Sequence, residues 1–530
     1  MKNIKIYFAV LSLIGLSSCS DFLDITPKTT LSDGNFYKTP DDAFDALVGC
    51  YDGLQRVWAD GISLPVAAEV FSDNTFGGTG NGDGYAYQMM DEFDKNRSTV
   101  DQNLFNLNWI AYYKAIYRCN VLINSFDGIE WGAKEELRPL YESEARFLRA
   151  YLYFDMVRLW GHIPLITVPT NDNVPQADPT EVYKLIAEDL KFAAENLPDV
   201  KYQDQPEAEH GRVTKWAAEA LLARAFLYYT GYYGAADLAG VVSKPQALAY
   251  LEDAIANSGH ELIPDYAELW PAASVEDYAG EDNIETVFAI KYTYTSNYAG
   301  AVDGNHWMVM YGIREQFSYP YGNGWGGGTV NPALWNAYDN DDTRKEASII
   351  SISDEGINFQ NQDKQREYTG YYIKKYAPMV DEDGNSIAVE NGAVNFMIGQ
   401  FQDYVSIRFA DILLMAAELG SANAQQYFDD VRERAYGDEF VSIPPTFDNI
   451  MEERRLEFAM EGHRYWDLLR QGVDVAAAAI AESTTVLNGG VEVNKVIDAD
   501  NITLTKGLQQ IPNTQITLSA GVLKQNSGWE

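Results

Sequence analysis

The sequence runs to 530 residues, 46% hydrophobic and 22% charged, a balance that belongs to a globular chain with a large core rather than to a disordered one. Its formal net charge is −39. No block of Lys or Arg stands against that field, which argues against nucleic acid or another polyanion as a partner and favours a neutral ligand. With three Cys, five dispersed His and neither CxxC nor HExxH, the chain offers no His/Cys metal site, and no cofactor is expected.

Lys2 and Lys5 open the chain, an apolar run from Ile6 to Leu16 follows, and Leu16-Ser17-Ser18-Cys19 closes it. A basic start, a short apolar core and small residues before a cut are the marks of a secretory signal, and the run is too short to span a bilayer as a helix. The tetrapeptide resembles a bacterial lipobox. That resemblance implies removal of residues 1–18 and acylation of Cys19 as the new N-terminus; the alternative is an ordinary secreted chain in which Cys19 is incidental. Residues 19–35, polar and acidic around Asp21 and Asp24, read as an acylated tether, and residues 36–530 as one compact unit.

Residues 36–270 read as a helical half. Residues 139–160 place Phe147, Leu148, Tyr151, Leu152 and Met156 at helical spacing on more than one face, which predicts a buried helix stopped by Gly161 and Pro164. Asp178-Pro179-Thr180-Glu181 is an N-cap, a Pro at the first position and an acid in the first turn; Val182, Ile186, Leu190 and Ala193 then share a face. Thr214 starts a helix whose Ala217, Ala218, Ala220, Ala223 and Ala225 allow close crossings, with Gly231 as its stop. Ser243-Lys244-Pro245-Gln246 caps another, closed by Gly259. Short helices in succession with Ala-rich crossings suggest antiparallel pairs of the tetratricopeptide kind, without a clean repeat.

Residues 271–400 change character. Thr286 to Ile290 reads as a strand, loops dense in Gly, Tyr, Trp and Asn follow, and helical patterning resumes at Tyr404 within residues 401–530. The fold class is therefore mainly α: tetratricopeptide-like helical pairs with a long irregular lobe and minor β elements. Long irregular segments in a compact unit tend to carry function, and aromatic residues make up 13% of the chain.

Sugar rings offer apolar C–H faces rimmed by hydroxyls, so a sugar site needs flat rings and a few polar groups. Two stretches supply them. An early Gly-rich one holds Asp73, Asn74, Phe76, Tyr85 and Tyr87; a middle one holds Tyr292, Tyr294, Tyr298, Asn305, Trp307, Tyr311, Arg314, Tyr319, Tyr321, Asn323 and Trp325. The selected set is Trp325, Trp307, Tyr321, Tyr319, Asn323, Tyr85, Asn74 and Asp73. Trp325 leads it, because its flexible Gly neighbours leave it little to pack against. Trp325, Trp307 and Tyr321 are expected to stack on a neutral oligosaccharide, the alternative for each ring being a buried support. Trp58 follows Leu54 at helical spacing and reads as core. Residues 338–344 and 381–385 are oxygen-rich but lack the EF-hand spacing with its closing Glu, which favours solvated turns over bound calcium.

The C-terminal third carries a family resemblance. DYVSIRFADILLMAAE (403–418) resembles the hxxhRhAEhhLMhAEA helix of SusD/RagB proteins, h being apolar, and YFDDVRERA (427–435) resembles their hNxVRxRAG helix. ERRLEFAMEGHRYWDLLRQG (453–472) resembles their ERRhEFAhEGhRhxDLxRxG signature almost residue for residue. LQQIPNTQITLSAGVLKQNSGW (508–529) is similar to their closing segment, and EARFLRAYLYFDMVRLWGHIPL (144–165) to their N-terminal helix. Ala435-Tyr436 lacks the usual Gly and Ser527 stands for the common Pro, departures that touch local turns. The resemblance covers essentially the whole mature chain. It implies a tetratricopeptide-like scaffold with a loop-built ligand lobe. It also implies a non-catalytic surface lipoprotein of the outer membrane that binds a nutrient glycan and closes, as a lid, over a SusC-like TonB-dependent transporter. Ligand positions vary among members and are not transferred by motif.

Within the signature, Glu453, Glu457 and Glu461 fall four apart on one helix face, beside Arg454, Arg464, Asp467 and Arg470. Glycosidases use paired carboxylates, so a surface glycoside hydrolase is the competing reading. Leu456, Phe458, Met460, Tyr465 and Trp466 mark the helix as core, which favours an Arg–carboxylate network between helices instead. An oligopeptide ligand, as RagB-like members imply, is the third reading. Cys50 and Cys119 read as two buried thiols, a single bridge being the alternative.

Overall fold

Thr39 starts the helical half. Its hydroxyl accepts from Asp42 N while the Asp42 carboxylate takes the Thr39 N–H, and Pro40 supplies a preset φ, so helix α1 runs Pro40–Gln55. After it come α2 (Leu64–Val70), α3 (Asn106–Ser125), α4 (Leu137–Trp160), α5 (Pro179–Asn196), α6 (Lys215–Tyr233) and α7 (Lys244–Asn257). The structure, a computed structural model, describes residues 36–97, 103–300 and 302–530; Cys19, the signal and the tether lie outside them. Helices pack in turn, α3 on α4, α4 on α5, α5 on α6 and α6 on α7, with α1 laid across α3 and α4. This is the succession of helical pairs expected of the sequence, and Ala217, Ala218, Ala220, Ala223 and Ala225 are fully buried at the crossings.

Caps behave as their local chemistry dictates. Asp178 accepts from Thr180 N at 2.8 Å with Pro179 at the first position of α5, and Thr214 accepts from Ala217 N to start α6. Helix α6 does not stop at Gly231. It continues to Tyr233 and ends on Gly234, which takes the left-handed conformation. Gly231 is there for packing: a Cβ on it would stand 2.3 Å from the Arg470 carbonyl oxygen.

The remaining elements build on this stack. Strand β1 (Thr75–Gly78) pairs antiparallel with β3 (Gly327–Val330), and β2 (Thr286–Ile290) with β4 (Tyr404–Arg408). β5 (Glu482–Asn488) and β6 (Val491–Ile497) form a hairpin. Helical structure therefore resumes at α8 (Phe409–Glu418) rather than at Tyr404, because Tyr404, Val405 and Ile407 fit the ladder against β2. α9 (Ala424–Tyr436), α10 (Phe447–Glu457), α11 (Arg464–Leu469) and α12 (Asn513–Leu518) follow. α8 packs on α7, α9 and α10, so the C-terminal helices extend the same stack.

The signature block is two helices, not one. The chain turns between α10 and α11 at Met460 and Gly462, both at positive φ. The turn seats Gly462 against α2, where a Cβ would lie 2.8 Å from Pro65 Cα, and Gly462 N donates to Glu69 Oε1 at 2.7 Å. One apolar core runs from Ala43 to Leu523, and the irregular lobe holds a second, small one around Ile313, Tyr321, Ile350 and Tyr372. No helix among the described residues is long and apolar enough to cross a membrane.

Candidate functional site

A cavity of about 360 Å³ opens where the turn after α1 meets the irregular lobe. Trp58, Ala59, Asp60 and Gly61 form one wall, with Ser63 and Val66 from the start of α2 and Tyr87 beside them. Trp307, Met310, Trp325, Tyr298, His306, Met397 and Ile398 form the other. Two large rings border it from solvent: Trp325 is 44% and Tyr298 69% exposed. Asn395 Nδ2 donates to the Tyr298 hydroxyl at 2.7 Å, and Trp325 N donates to Val309 O at 2.8 Å, so both rings sit on tied backbone or side chain. His306 pins the two walls together. Its Nδ1 lies 2.9 Å from Ala59 O, a carbonyl that can only accept, so Nδ1 carries the proton and Nε2, 3.3 Å from Ser296 Oγ, accepts. Burial pulls the His306 pKa below its ordinary value, and the ring is neutral at pH 7. Asp60 is then the one charged residue in the lining.

A larger groove of about 660 Å³ lies between α3, residues 164–174 and α12. Its Trp109 is buried and its Tyr113 hydroxyl donates to Pro164 O at 2.9 Å, which leaves Tyr117 as its one exposed ring. Flat rings converge in the smaller cavity.

The eight selected residues separate into distinct environments. Trp325 and Trp307 share the cavity, but Trp307 is only 4% exposed and packs on Tyr311, Tyr376 and Tyr404, so it forms the floor and not a free platform. Tyr321 is also 4% exposed. It belongs to the small lobe core, and its hydroxyl donates to Glu355 at 2.6 Å; it does not line the cavity. The expected three-ring stack is thus split. Tyr319 is exposed but outside the lining, and Asn323 pairs in a short parallel ladder with Ile313. The Tyr85 ring is approached by Arg366 at 4.0 Å and Arg97 at 5.1 Å. Asn74 is fully buried between Glu69 Oε2 (3.3 Å) and Arg455 Nε (3.2 Å). Asp73 takes two bonds from Arg464, at 2.8 and 2.9 Å, with Arg455 at 3.0 Å. Asp73 and Asn74 therefore hold α10 and α11 to the early loop and face no ligand space.

The glycines around Trp325 act by closeness, and Gly326 also by taking a left-handed φ of 67°. A Cβ on Gly324 would stand 2.3 Å from Gly312 Cα, and one on Gly326 2.2 Å from Gln365 Oε1. The backbone is clamped and the indole projects. Besides Trp307 and Trp325, the lining residues Tyr87 and Tyr298 belong to the aromatic stretches named from the sequence. Asp60, His306, Met310 and Met397 carried no signal there.

The three signature carboxylates are fully engaged. Glu453 accepts from Arg344 (2.5 Å) and Arg432 (2.6 Å), and Glu457 from Arg344 (3.0 Å), Arg408 (2.9 Å) and Arg434. Glu461 accepts from Arg408 (2.8 Å) and Lys375 (2.7 Å). Asp342 on Arg344 and Glu285 on Arg408 and Arg434 complete a cluster of five carboxylates and five cations. Burial alone would push Glu457 up, but Arg434, Arg408 and Arg344 hold its carboxyl far below the usual range. An acid so held neither gives nor takes a proton near neutrality, as a glycosidase acid or base must. The oxygen-rich segments are likewise occupied: Asp342 binds Arg344, and Asp381 accepts from Asn385 N and Nδ2.

The profile described as SusD family matches residues 355–529, and one described as starch-binding associating with outer membrane matches residues 58–227. The chain belongs to the SusD/RagB family. It is 27% identical over 511 residues to a SusD-like protein of Bacteroides ovatus, covering 88% of this chain and 82% of that one. Among solved structures, a laminarin binding SusD-like protein is 27% identical with a TM-score of 0.72, covering 92% of this chain and 99% of that one. Surface glycan-binding protein A from Bacteroides thetaiotaomicron, solved with laminarihexaose, shares the fold at 23% identity and a TM-score of 0.74, with 92% and 100% covered.

Proposed function

We propose that this SusD/RagB chain is a non-catalytic surface lipoprotein that holds a neutral glycan in the 360 Å³ cavity. It is anchored to the outer membrane through acylated Cys19 and partners a SusC-like TonB-dependent transporter. The observation that carries the binding reading is the pair of exposed rings, Trp325 and Tyr298, at the mouth of a cavity lined by no Lys or Arg. Such a mouth offers stacking faces to sugar C–H surfaces and nothing to neutralise an acidic sugar. The relative named for laminarin makes β-glucan oligosaccharides the first ligands to try. Tethering keeps the binder beside its transporter, so the contacts between them need not be strong.

Calorimetric titration with laminari-oligosaccharides, and then with a panel of neutral and acidic glycans, tests this. Trp325→Ala should weaken the best ligand at least about tenfold, roughly 1.4 kcal/mol, with an unchanged melting curve because the ring is half exposed. Wild-type affinity in that variant removes the site. Release of shortened products from the glycan restores the hydrolase reading, and binding of peptides but no glycan restores the oligopeptide one.

A further inference from the structure

Cys50 on α1 and Cys119 on α3 are both fully buried. The two helices run antiparallel and nearly touch one turn away: a Cβ on Gly53 would lie 3.2 Å from Ala115 Cα. On the other side of the pair, Arg118 Nη1 donates to Gly49 O at 2.7 Å. Gly49, Cys50 and Gly53 thus meet Arg118, Cys119 and Ala115 across one crossing, and the structure holds Cys50 and Cys119 there as two free buried thiols, as the sequence reading expects. Backbones this close are what a disulfide requires, since it joins Cα atoms only about 4.4–6.8 Å apart.

We propose that Cys50 and Cys119 close to a disulfide that staples α1, the first helix after the tether, to α3. The proposal rests on the reading of the chain as exported, because a reducing cytoplasm would keep both thiols. The oxidant is a disulfide of the thiol–disulfide oxidoreductase class, or oxidised glutathione in vitro. One cysteine thiolate attacks a sulfur of that disulfide and displaces the first thiol. The second thiolate then attacks the mixed disulfide and displaces the other. Two S–H bonds are lost and one S–S bond forms, while the oxidant leaves as two thiols carrying both electrons and both protons. The hydrogen bond from Cys119, together with burial, holds the folded Cys50 thiol above its ordinary pKa. The docked pair is a poor nucleophile, and exchange belongs to folding, before α1 seats. The bridge would pass any pull on the tether from α1 into the helix stack.

The test uses the mature chain with Cys19→Ala, which leaves these two Cys. Reduced, denatured protein is refolded in a glutathione redox buffer, alkylated under denaturing conditions and weighed. The expected product is lighter than the reduced chain by two hydrogens, takes up no alkyl group and yields a peptide joining residues 50 and 119. It melts a few degrees above protein refolded in reductant, and Cys50→Ala or Cys119→Ala leaves one alkylated thiol. Two alkylated thiols in wild type that has folded in the oxidising buffer overturn the proposal. A bridge formed there but absent from protein isolated from its own cell envelope overturns the proposal and leaves the export reading standing, whereas recovery of the reduced chain from the cytoplasm alone overturns the export reading.

Discussion

Replacing Glu457 by Gln removes one negative charge and almost no volume from the buried ion cluster. Arg344 (3.0 Å), Arg408 (2.9 Å) and Arg434 all direct N–H groups at this carboxylate. Without its charge, four carboxylates face five cations in a site closed to water. Removing one partner of a buried pair costs about 3–5 kcal/mol. An unfolding entropy of about 2.1 cal/mol/K per residue, over roughly 500 residues, comes to about 1 kcal/mol/K, so melting should fall by about 3–5 °C. The pH dependence has a definite sign. Arg434, Arg408 and Arg344 depress the folded pKa, against burial, below the unfolded value, so the contribution is fully present above about pH 4.5 and is lost as pH falls further. The melting gap between wild type and E457Q should therefore narrow in acid. Melting followed by circular dichroism between neutral pH and strong acid reads both effects, and glycan titration should show no change because Glu457 does not line the cavity. A variant melting within about 1 °C of wild type at pH 7, or a gap independent of pH, would refute the balanced-cluster account.

Two further outcomes separate support from site. Tyr321→Phe deletes the 2.6 Å bond to Glu355 and should lower stability by about 1–2 kcal/mol in a denaturant titration while leaving glycan affinity intact; loss of affinity would return Tyr321 to the ligand surface. Glu69 is fully buried, accepts from Gly462 N at 2.7 Å and Asn74 Nδ2 at 3.3 Å, and has no Lys or Arg within ion-pair distance among the described residues. Burial raises its carboxyl to about 7, so stability present below about pH 4.5 is lost as pH rises through 7. Glu69→Gln should gain on wild type over that interval, and parallel stability curves would discount the burial effect.

What the sequence made legible was local. Asp178-Pro179 at the start of α5 and Thr286 to Ile290 in β2 are written in cap chemistry and residue shape, and they form where expected. Whether a ring is platform or floor depends on neighbours far along the chain. Trp307 is covered by Tyr376 and Tyr404, while Trp325 projects because Asn323 and Gly324 pair with Ile313 and Arg314. Asp73 and Asn74 looked like loop polar groups, and their partners Arg455 and Arg464 lie more than 380 positions away. The break inside the signature block was also hidden. A helical pattern continues through Met460 and Gly462, yet both take positive φ there, and Gly462 sits where a Cβ would meet Pro65.

The acidic excess and the uncharged cavity bear on each other. Two large interior clusters balance, five against five around Glu457 and Asp411, Asp467 and Glu418 against Arg224, Arg454 and Arg470 around α11, whereas Lys495 is one cation among Asp91, Glu92 and Glu367. The balanced clusters leave most of the net charge of −39 to residues outside them. A neutral glycan does not feel that field, whereas an acidic one meets it on approach and then finds Asp60 in the lining. Raising salt from about 0.01 M to about 0.15 M shortens the Debye length from about 30 Å to about 8 Å. The dissociation constant of the best neutral ligand should change by less than about twofold over that range, while an acidic analogue should bind weakly and gain with salt. A neutral ligand whose affinity rose several-fold with screening, or an acidic one that bound best at low salt, would mean that a charged group outside this cavity governs recognition, and the assignment of Trp325 and Tyr298 as the reading surface would fail with it.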